Sequence, residues 1–253
     1  MREAAGVLLA FSILIFAHIS GGGGEPAAPA FSRLTSDDVF KWPTTQSPAI
    51  NENDPMSSVW FTADFHFGHF NIIRYCNRPF ANSQEMNEAI CERVNACAKP
   101  NDTLYFLGDF CLGGPDRVTA YRKRLVCRTI HFIEGNHDRM TRKLQHLFAS
   151  WNLLSEIHAA KQRIVLCHYA MRVWPHHAQG AWHLYGHSHG NLPDEPLALS
   201  LDVGVDTHEF RPWHFDEIQA VMQPKAVARE AKIQTERRAA LADLAAYDQE
   251  IEL

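Results

Sequence analysis

The stretch SSVWFTADFHFGHFN, residues 57–71, holds the pattern on which the reading of the whole chain turns. Its first seven residues form a short apolar run, too brief for a helix, and read as a buried strand. The run passes directly into Asp64, His66, His69 and Asn71. Carboxylate and imidazole groups are hard or borderline metal ligands. One such exit is a weak signal. A lone Asp after a strand is commonly a helix N-cap, and a lone His a turn residue.

The same figure recurs four more times. DTLYFL (102–107) is followed by Gly108 and Asp109, and RTIHFI (128–133) by EGNHD with Asn136, His137 and Asp138. RIVLC (163–167) is followed by His168 and then Arg172, and AWHLYG (181–186) by His187 and His189. LSLDVGV (199–205) reads as one further strand. Between them lie helical patterns at 81–98, 115–125 and 139–149. The first has Asn82 as its cap, Glu85 three residues on, and Met86, Ile90, Val94 and Cys97 on one face. Strands alternating with helices make an α/β pattern, in which the carboxyl ends of the strands line one crevice. Two Asp, one Asn and four His can therefore converge although they run from Asp64 to His189. Small residues at the strand exits (Ala63, Gly108, Gly135 and Gly186) are expected to allow the sharp turns that aim these side chains inward.

Bulk properties fit an enzyme. The 253 residues carry a net charge of -5, with 24 Lys+Arg against 29 Asp+Glu, which gives no strong nucleic-acid signal. Six cysteines without a Cys-x-x-Cys pair argue against a structural zinc site and for reduced thiols. Residues 1–55 differ from the rest: the apolar run GVLLAFSILIFAHIS (6–20), then a Gly- and Pro-rich linker read as disordered. They read as a signal-like segment or, preferred, as sequence upstream of a true start at Met56. On that preference the protein is cytoplasmic; a real signal in residues 1–30 would make it secreted or periplasmic. No clear membrane span is expected. The catalytic domain is placed at 56–222 and a helical tail at 223–253. The tail repeats Ile233, Ala240, Leu244, Tyr247 and Ile251 at roughly heptad spacing, so it is expected to pack on the domain or on a partner helix, the latter making a homo-oligomer.

The ordered set DFH (64–66), GD (108–109), GNHD (135–138), His168 and GHSH (186–189) resembles the calcineurin-like metallophosphoesterase superfamily. The resemblance covers residues 57–221, and HFGHFNIIRYCNRPF (66–80) is similar to a small-phosphoesterase subgroup of bacteria and phages. It implies an α/β (α+β) fold: a four-layer sandwich of two mostly mixed β-sheets flanked by helices. It implies two divalent transition-metal ions per chain, Mn first, with Fe, Ni or Zn as alternatives. Asp64, His66 and His189 would hold one ion, Asn136, His168 and His187 the other, and Asp109 would bridge them. The implied reaction is attack of metal-bound hydroxide on the phosphorus of a small phosphorylated substrate, monoester or diester. His137 would protonate the leaving oxygen, with Asp138 orienting it.

Other positions are expected to touch substrate: His69 and Asn71 by closeness to Asp-x-His, and Arg172 as a phosphate clamp. Arg74 and Arg78 read as substrate-binding or solvated, and His183 as packed. Two further functions stay open, an inactive interaction scaffold of this fold and a nucleic-acid phosphodiesterase. The intact ligand set speaks against the first, and the acidic balance against the second.

Overall fold

Alternation along the strands sorts the apolar side chains into two cores. A computed structural model of the protein describes residues 58–251. The N-terminal segment 1–55 lies outside the described residues. The first sheet contains β1 (Val59–Thr62), β2 (Thr103–Phe106), β3 (Thr129–Ile133), β4 (Ser150–Asn152) and β9 (Trp213–His214), in the order β4-β3-β2-β1-β9. All neighbours are parallel except β9, which runs antiparallel to β1. The second sheet has the order β5-β6-β7-β8, from β5 (Leu154–Ala159), β6 (Gln162–Cys167), β7 (Trp182–Tyr185) and β8 (Ser200–Asp202). There β5 and β6 form an antiparallel pair, and β6, β7 and β8 are parallel.

One face of the first sheet sends Leu104, Phe106, Ile130 and Phe132 against Met86, Ile90 and Val94 of α2 (Ser83–Cys97) and Val118 of α3 (Pro115–Arg124). The opposite face sends Phe61, Tyr105, Leu107 and Ile133 into a second core with Ile164, Leu166, Trp182 and Leu184 of the other sheet. This is the period-two alternation of strands buried on both faces. The outer face of the second sheet carries His183, whose ring packs on Trp174, so the segment after β6 covers it. His183 is buried and hydrogen-bonded to backbone, as a packed residue should be. The result is a mixed α/β fold with two mixed sheets and helices.

Local chemistry explains most of the helices. Asn82 Oδ1 accepts from Glu85 N at 2.9 Å, and Glu85 Oε2 accepts from Ala81 N at 2.8 Å, which fixes the start of α2. Pro115 opens α3 after the N-cap Gly114. The helix expected at 139–149 is instead a 3₁₀ segment, Thr141–Leu147, broken at Leu144 (φ -118°, ψ 26°). Phe148 packs into the first core and Ser150 enters β4, so the chain turns into a strand before an α-helix can complete. A short α1 (Phe70–Tyr75), β4, β5 and β9 are elements that the pattern reading did not contain.

The tail is one helix with the preceding segment, α4 (Phe215–Ile251), with Pro224 inside it. Phe215, Ile218 and Met222 fill the inter-sheet core. From Gln234 to Leu244 every residue is exposed, so that stretch does not pack on the domain. Among the described residues no helix is long and apolar enough to cross a membrane.

Candidate metal centre

The exits of β1, β2, β3, β6 and β7 are tied into one surface by backbone hydrogen bonds. Asp64 N–H donates to Gly108 O at 2.9 Å, and His66 N–H to Asp109 O at 2.9 Å, so the loops after β1 and β2 run side by side. Gly186 N–H donates to His168 O at 3.0 Å, joining the exits of β6 and β7. The two sheets meet where Val205 N–H donates to Ala63 O and His187 N–H to Asp64 Oδ2.

The turns needed there are made by the site residues themselves. Asp64 (φ 62°), His66 (φ 51°), Asp109 (φ 61°), His187 (φ 66°) and His189 (φ 49°) all sit in the left-handed region. That region is costly for residues with a Cβ, and strain of this kind gathers at functional sites. The expectation that glycine would supply the turns is met at Gly108 but not at Gly135 or Gly186, which make room instead. A Cβ on Gly135 would lie 2.3 Å from Asp109 Oδ1, and one on Gly186 2.7 Å from Asp64 Oδ2.

Two candidate ligand groups result. One atom each of Asp64, His66 and His189 lie within 4.8 Å of one another, and so do atoms of Asp109, His168 and His187. Asn136 Oδ1 stands 3.0 Å from His168 Nε2, which adds it to the second group. Asp109 Oδ2 is shared between them, 3.4 Å from His66 Nε2 and 3.5 Å from His168 Nε2. His168 Nδ1–H donates to Leu107 O at 2.7 Å, and His189 Nδ1–H to Asp206 Oδ2 at 2.7 Å. With Nδ1 so bonded, Nε2 is the nitrogen each ring has left to offer a cation once it is unprotonated. For His189 burial is outweighed by the Asp206 hydrogen bond and the Asp64 and Asp206 charges, which raise it to about 10.

The residues fit a cation. Asp64 Oδ1 and His66 Nε2 are buried without any hydrogen-bond partner in the protein, and such orphaned polar atoms are expensive. Burial pushes the Asp64 carboxyl up to about 7, against the pull of His189 and His168. Burial also acts upward on Asp109, but the hydrogen bond from His168 and the charges of His168 and His66 outweigh it and hold Asp109 at about 2. Burial takes His66 well below its ordinary value. A mixture of neutral imidazole, amide and carboxylate donors suits a transition-metal dication.

Residues 57–176 match the calcineurin-like phosphoesterase family. An uncharacterized protein of Methanocaldococcus jannaschii is 31% identical over 180 residues, 69% of this chain and 96% of the relative. The chain belongs to the calcineurin-like phosphoesterase family. It is a phosphoesterase, a hydrolase of phosphoester bonds. The gene 66 protein of Mycobacterium phage D29 is 25% identical over 206 residues, 66% of this chain and 96% of that protein. A protein of unknown function from Aquifex aeolicus shares the fold, with a TM-score of 0.52 and 21% identity over 65% of this chain and 99% of that one.

The other expected residues of this phosphoesterase fall in different places. His137 is exposed at the centre, its ring 5.2 Å from His66 and 5.9 Å from His69. Its N–H donates to Asp109 Oδ1 at 2.8 Å. Asp138 was expected to orient the His137 ring, but its carboxylate is taken up by backbone. It accepts from Asp109 N at 2.7 Å, Phe110 N at 3.0 Å and Gly135 N at 2.9 Å. Buried completely, Asp138 clamps the exits of β2 and β3 together.

His69 reaches the centre, its Nδ1 3.4 Å from His66 Nδ1, whereas Asn71 is exposed on α1. Arg172, the expected phosphate clamp, is exposed and lines a separate cleft of about 350 Å³ with Met171, Trp174, Tyr185 and Asp194. Arg78 is neither solvated nor substrate-facing: it is buried. Arg74 is exposed, its guanidinium 5.5 Å from the Tyr75 ring.

Sequence reasoning missed Asp206, Asp202 and Tyr169. Asp206 holds His189 and Arg78. Asp202 accepts from Gly190 N and Gly204 N, shaping the loop after His189. Tyr169 is exposed and packs edgewise on His168 and His187. A signal for Asp206 was present, since it follows the strand at 199–205 as the other site residues follow theirs.

Proposed function

We propose that this chain is a two-metal phosphoesterase, cleaving a small phosphorylated substrate by attack of water on phosphorus. The observation that carries the reading is the shared Asp109 Oδ2, set between His66 and His168, with Asp64 Oδ1 and His66 Nε2 buried and unpartnered beside it. Asp64, His66 and His189 would hold one ion and Asn136, His168 and His187 the other, with Asp109 common to both. When bound, such dications polarise phosphoryl oxygens and lower the pKa of water. Mn is the first choice, with Fe, Ni or Zn as alternatives.

The chain's own groups do the rest. Four imidazoles and an amide leave the ligand set less negative than a cage of carboxylates would, so an anionic phosphate is drawn in. Asp138 and the paired loops fix Asp109 before substrate arrives, so little reorganisation is needed during reaction. His137 is exposed where a leaving oxygen would emerge and carries the proton to it. His69, beside His137, supports it or touches the substrate.

A panel of phosphomonoesters, cyclic nucleotides and diesters, run with Mn, Ni, Zn and Mg, tests this. Metal-dependent turnover of one class is expected, and turnover that is the same with and without added metal would overturn the two-metal reading.

A further inference from the structure

Arg78 is the most completely buried cation near the centre, its side chain 0% exposed. A buried guanidinium is tolerated only when its donors are met. Here Nε donates to Asp206 Oδ1 at 2.8 Å and Nη2 to Asp206 Oδ2 at 2.7 Å, a two-point grip on one carboxylate. Nη2 also donates to Asp64 O at 2.7 Å, and Nη1 to Phe65 O at 3.1 Å and to Met86 Sδ at 3.4 Å. Those two carbonyls belong to the segment in which Asp64 and His66 hold left-handed backbone. Asp206 Oδ2, gripped by Arg78, accepts from His189 Nδ1 at 2.7 Å.

One side chain therefore touches all three members of the Asp64–His66–His189 group through a single intermediate or none. It donates to no member of the Asn136–His168–His187 group, and its one link there runs through Asp64, whose Oδ2 accepts from His187 backbone N–H at 2.9 Å while the His187 ring is left alone. Cys76 also lies within 4.8 Å of the His189 and Asp206 ligand atoms, but the Asp206 charge is already paired with the Arg78 guanidinium and its Oδ2 also accepts from His189.

We propose that Arg78 is a positioning residue for one metal site only, setting the strained backbone of Asp64 and, through Asp206, the ring of His189. The proposal rests on the two-metal reading above. Strained conformations persist when their surroundings over-determine them, and Arg78 supplies that constraint to the first site. In the second site the His168 ring is fixed by Leu107 O, without any contact from Arg78, and the shared Asp109 is held by Asp138.

The test is titration of the full chain with Mn²⁺, followed by calorimetry and by electron paramagnetic resonance. His187→Ala and His189→Ala serve as single-site references. Arg78→Lys keeps the charge and loses the fork. It is expected to weaken the Asp64–His66–His189 site about 10- to 100-fold, the usual effect of losing a group behind a ligand, while the other site stays within about threefold. Asp206→Asn should give the same selective loss. The double variant should fall short of the sum of the two, because they act as one unit.

Two Mn²⁺ ions bound to Arg78→Lys with wild-type affinities would overturn the proposal, as would equal weakening of both sites. If Arg78→Lys does not melt cooperatively, Asp206→Asn decides on the same criteria. A wild-type chain binding fewer than two Mn²⁺ would instead fail the two-metal reading on which the proposal rests.

Discussion

Gly135→Ala is a one-carbon change whose effect can be worked out from the structure. The added Cβ would lie 2.3 Å from Asp109 Oδ1, 2.6 Å from Asp109 N and 2.9 Å from His168 Cε1. Relief needs a shift of roughly 1 Å in an interior that is already close-packed. Neither neighbour can move freely. Asp109 N–H is held by Asp138 Oδ2 at 2.7 Å, Asp109 Oδ1 by His137 N–H at 2.8 Å, and His168 by Leu107 O at 2.7 Å. Overpacking of this kind costs about 1–3 kcal/mol, which in a domain of this size lowers Tm by roughly 2–12 °C. Because Asp109 is shared, both metal sites should weaken, each by at least about tenfold. Thermal melting without metal and Mn²⁺ titration read the two effects. Gly114→Ala is the control, since nothing lies within 4 Å of its added carbon. It should cost no more than about 1 kcal/mol, as an N-cap change does, and leave metal binding alone. A Gly135→Ala protein with unchanged Tm and full metal affinity would refute the reasoning.

Two further outcomes are expected. His137→Ala should keep its metal content and lose about 10²- to 10⁴-fold in turnover on an ester with a poor leaving group, and much less on an activated one; equal losses on both esters, read from kcat, would argue against proton delivery by His137. Metal affinity at the first site should depend on pH, because burial raises Asp64 from 3.8 to about 7. A raised acid favours the folded state while protonated, so in metal-free protein that contribution is full below about pH 4 and is lost as pH rises through 7. A cation must displace this proton and also one from His189, which burial pulls down but the Asp206 hydrogen bond and the Asp64 and Asp206 charges raise to about 10. Mn²⁺ affinity should therefore fall by at least about tenfold per unit below pH 7; a flat titration from about pH 5.5 to 7.5 would contradict this.

The site was legible in sequence to the extent that each residue announces itself locally. Strands such as DTLYFL and RTIHFI lead within one to three residues to candidate ligands, so Asp109 and Asn136 could be placed at strand exits without knowing their partners. The α2 cap was readable for the same reason, since Asn82 and Glu85 act within one turn. What sequence hides is pairing at long range. Arg78 reads as a surface arginine because its acceptor Asp206 lies 128 positions away. Asp138 follows His137 and so suggests a side-chain partnership, yet three backbone donors compete for its carboxylate and win. The short strands β4 and β9, of three and two residues, carry too little alternation to be seen. The edge strand β5, in Leu154–Ala159, mixes exposed and half-buried polar residues and is held by pairing with β6. The left-handed backbone of five candidate ligand positions has no sequence signature, because Asp and His fit there by their donor atoms and the fold supplies the constraint.

The central claim is that GHSH (186–189) divides its two histidines between two ions that share Asp109. Mn²⁺ bound per chain, measured for wild type, His187→Ala and His189→Ala, tests it most directly. The account predicts two ions in wild type and one in each variant. The survivor in His189→Ala should be bound by Asn136 and His168, and the survivor in His187→Ala by Asp64 and His66. One ion in wild type, or two ions retained in either variant, would contradict it.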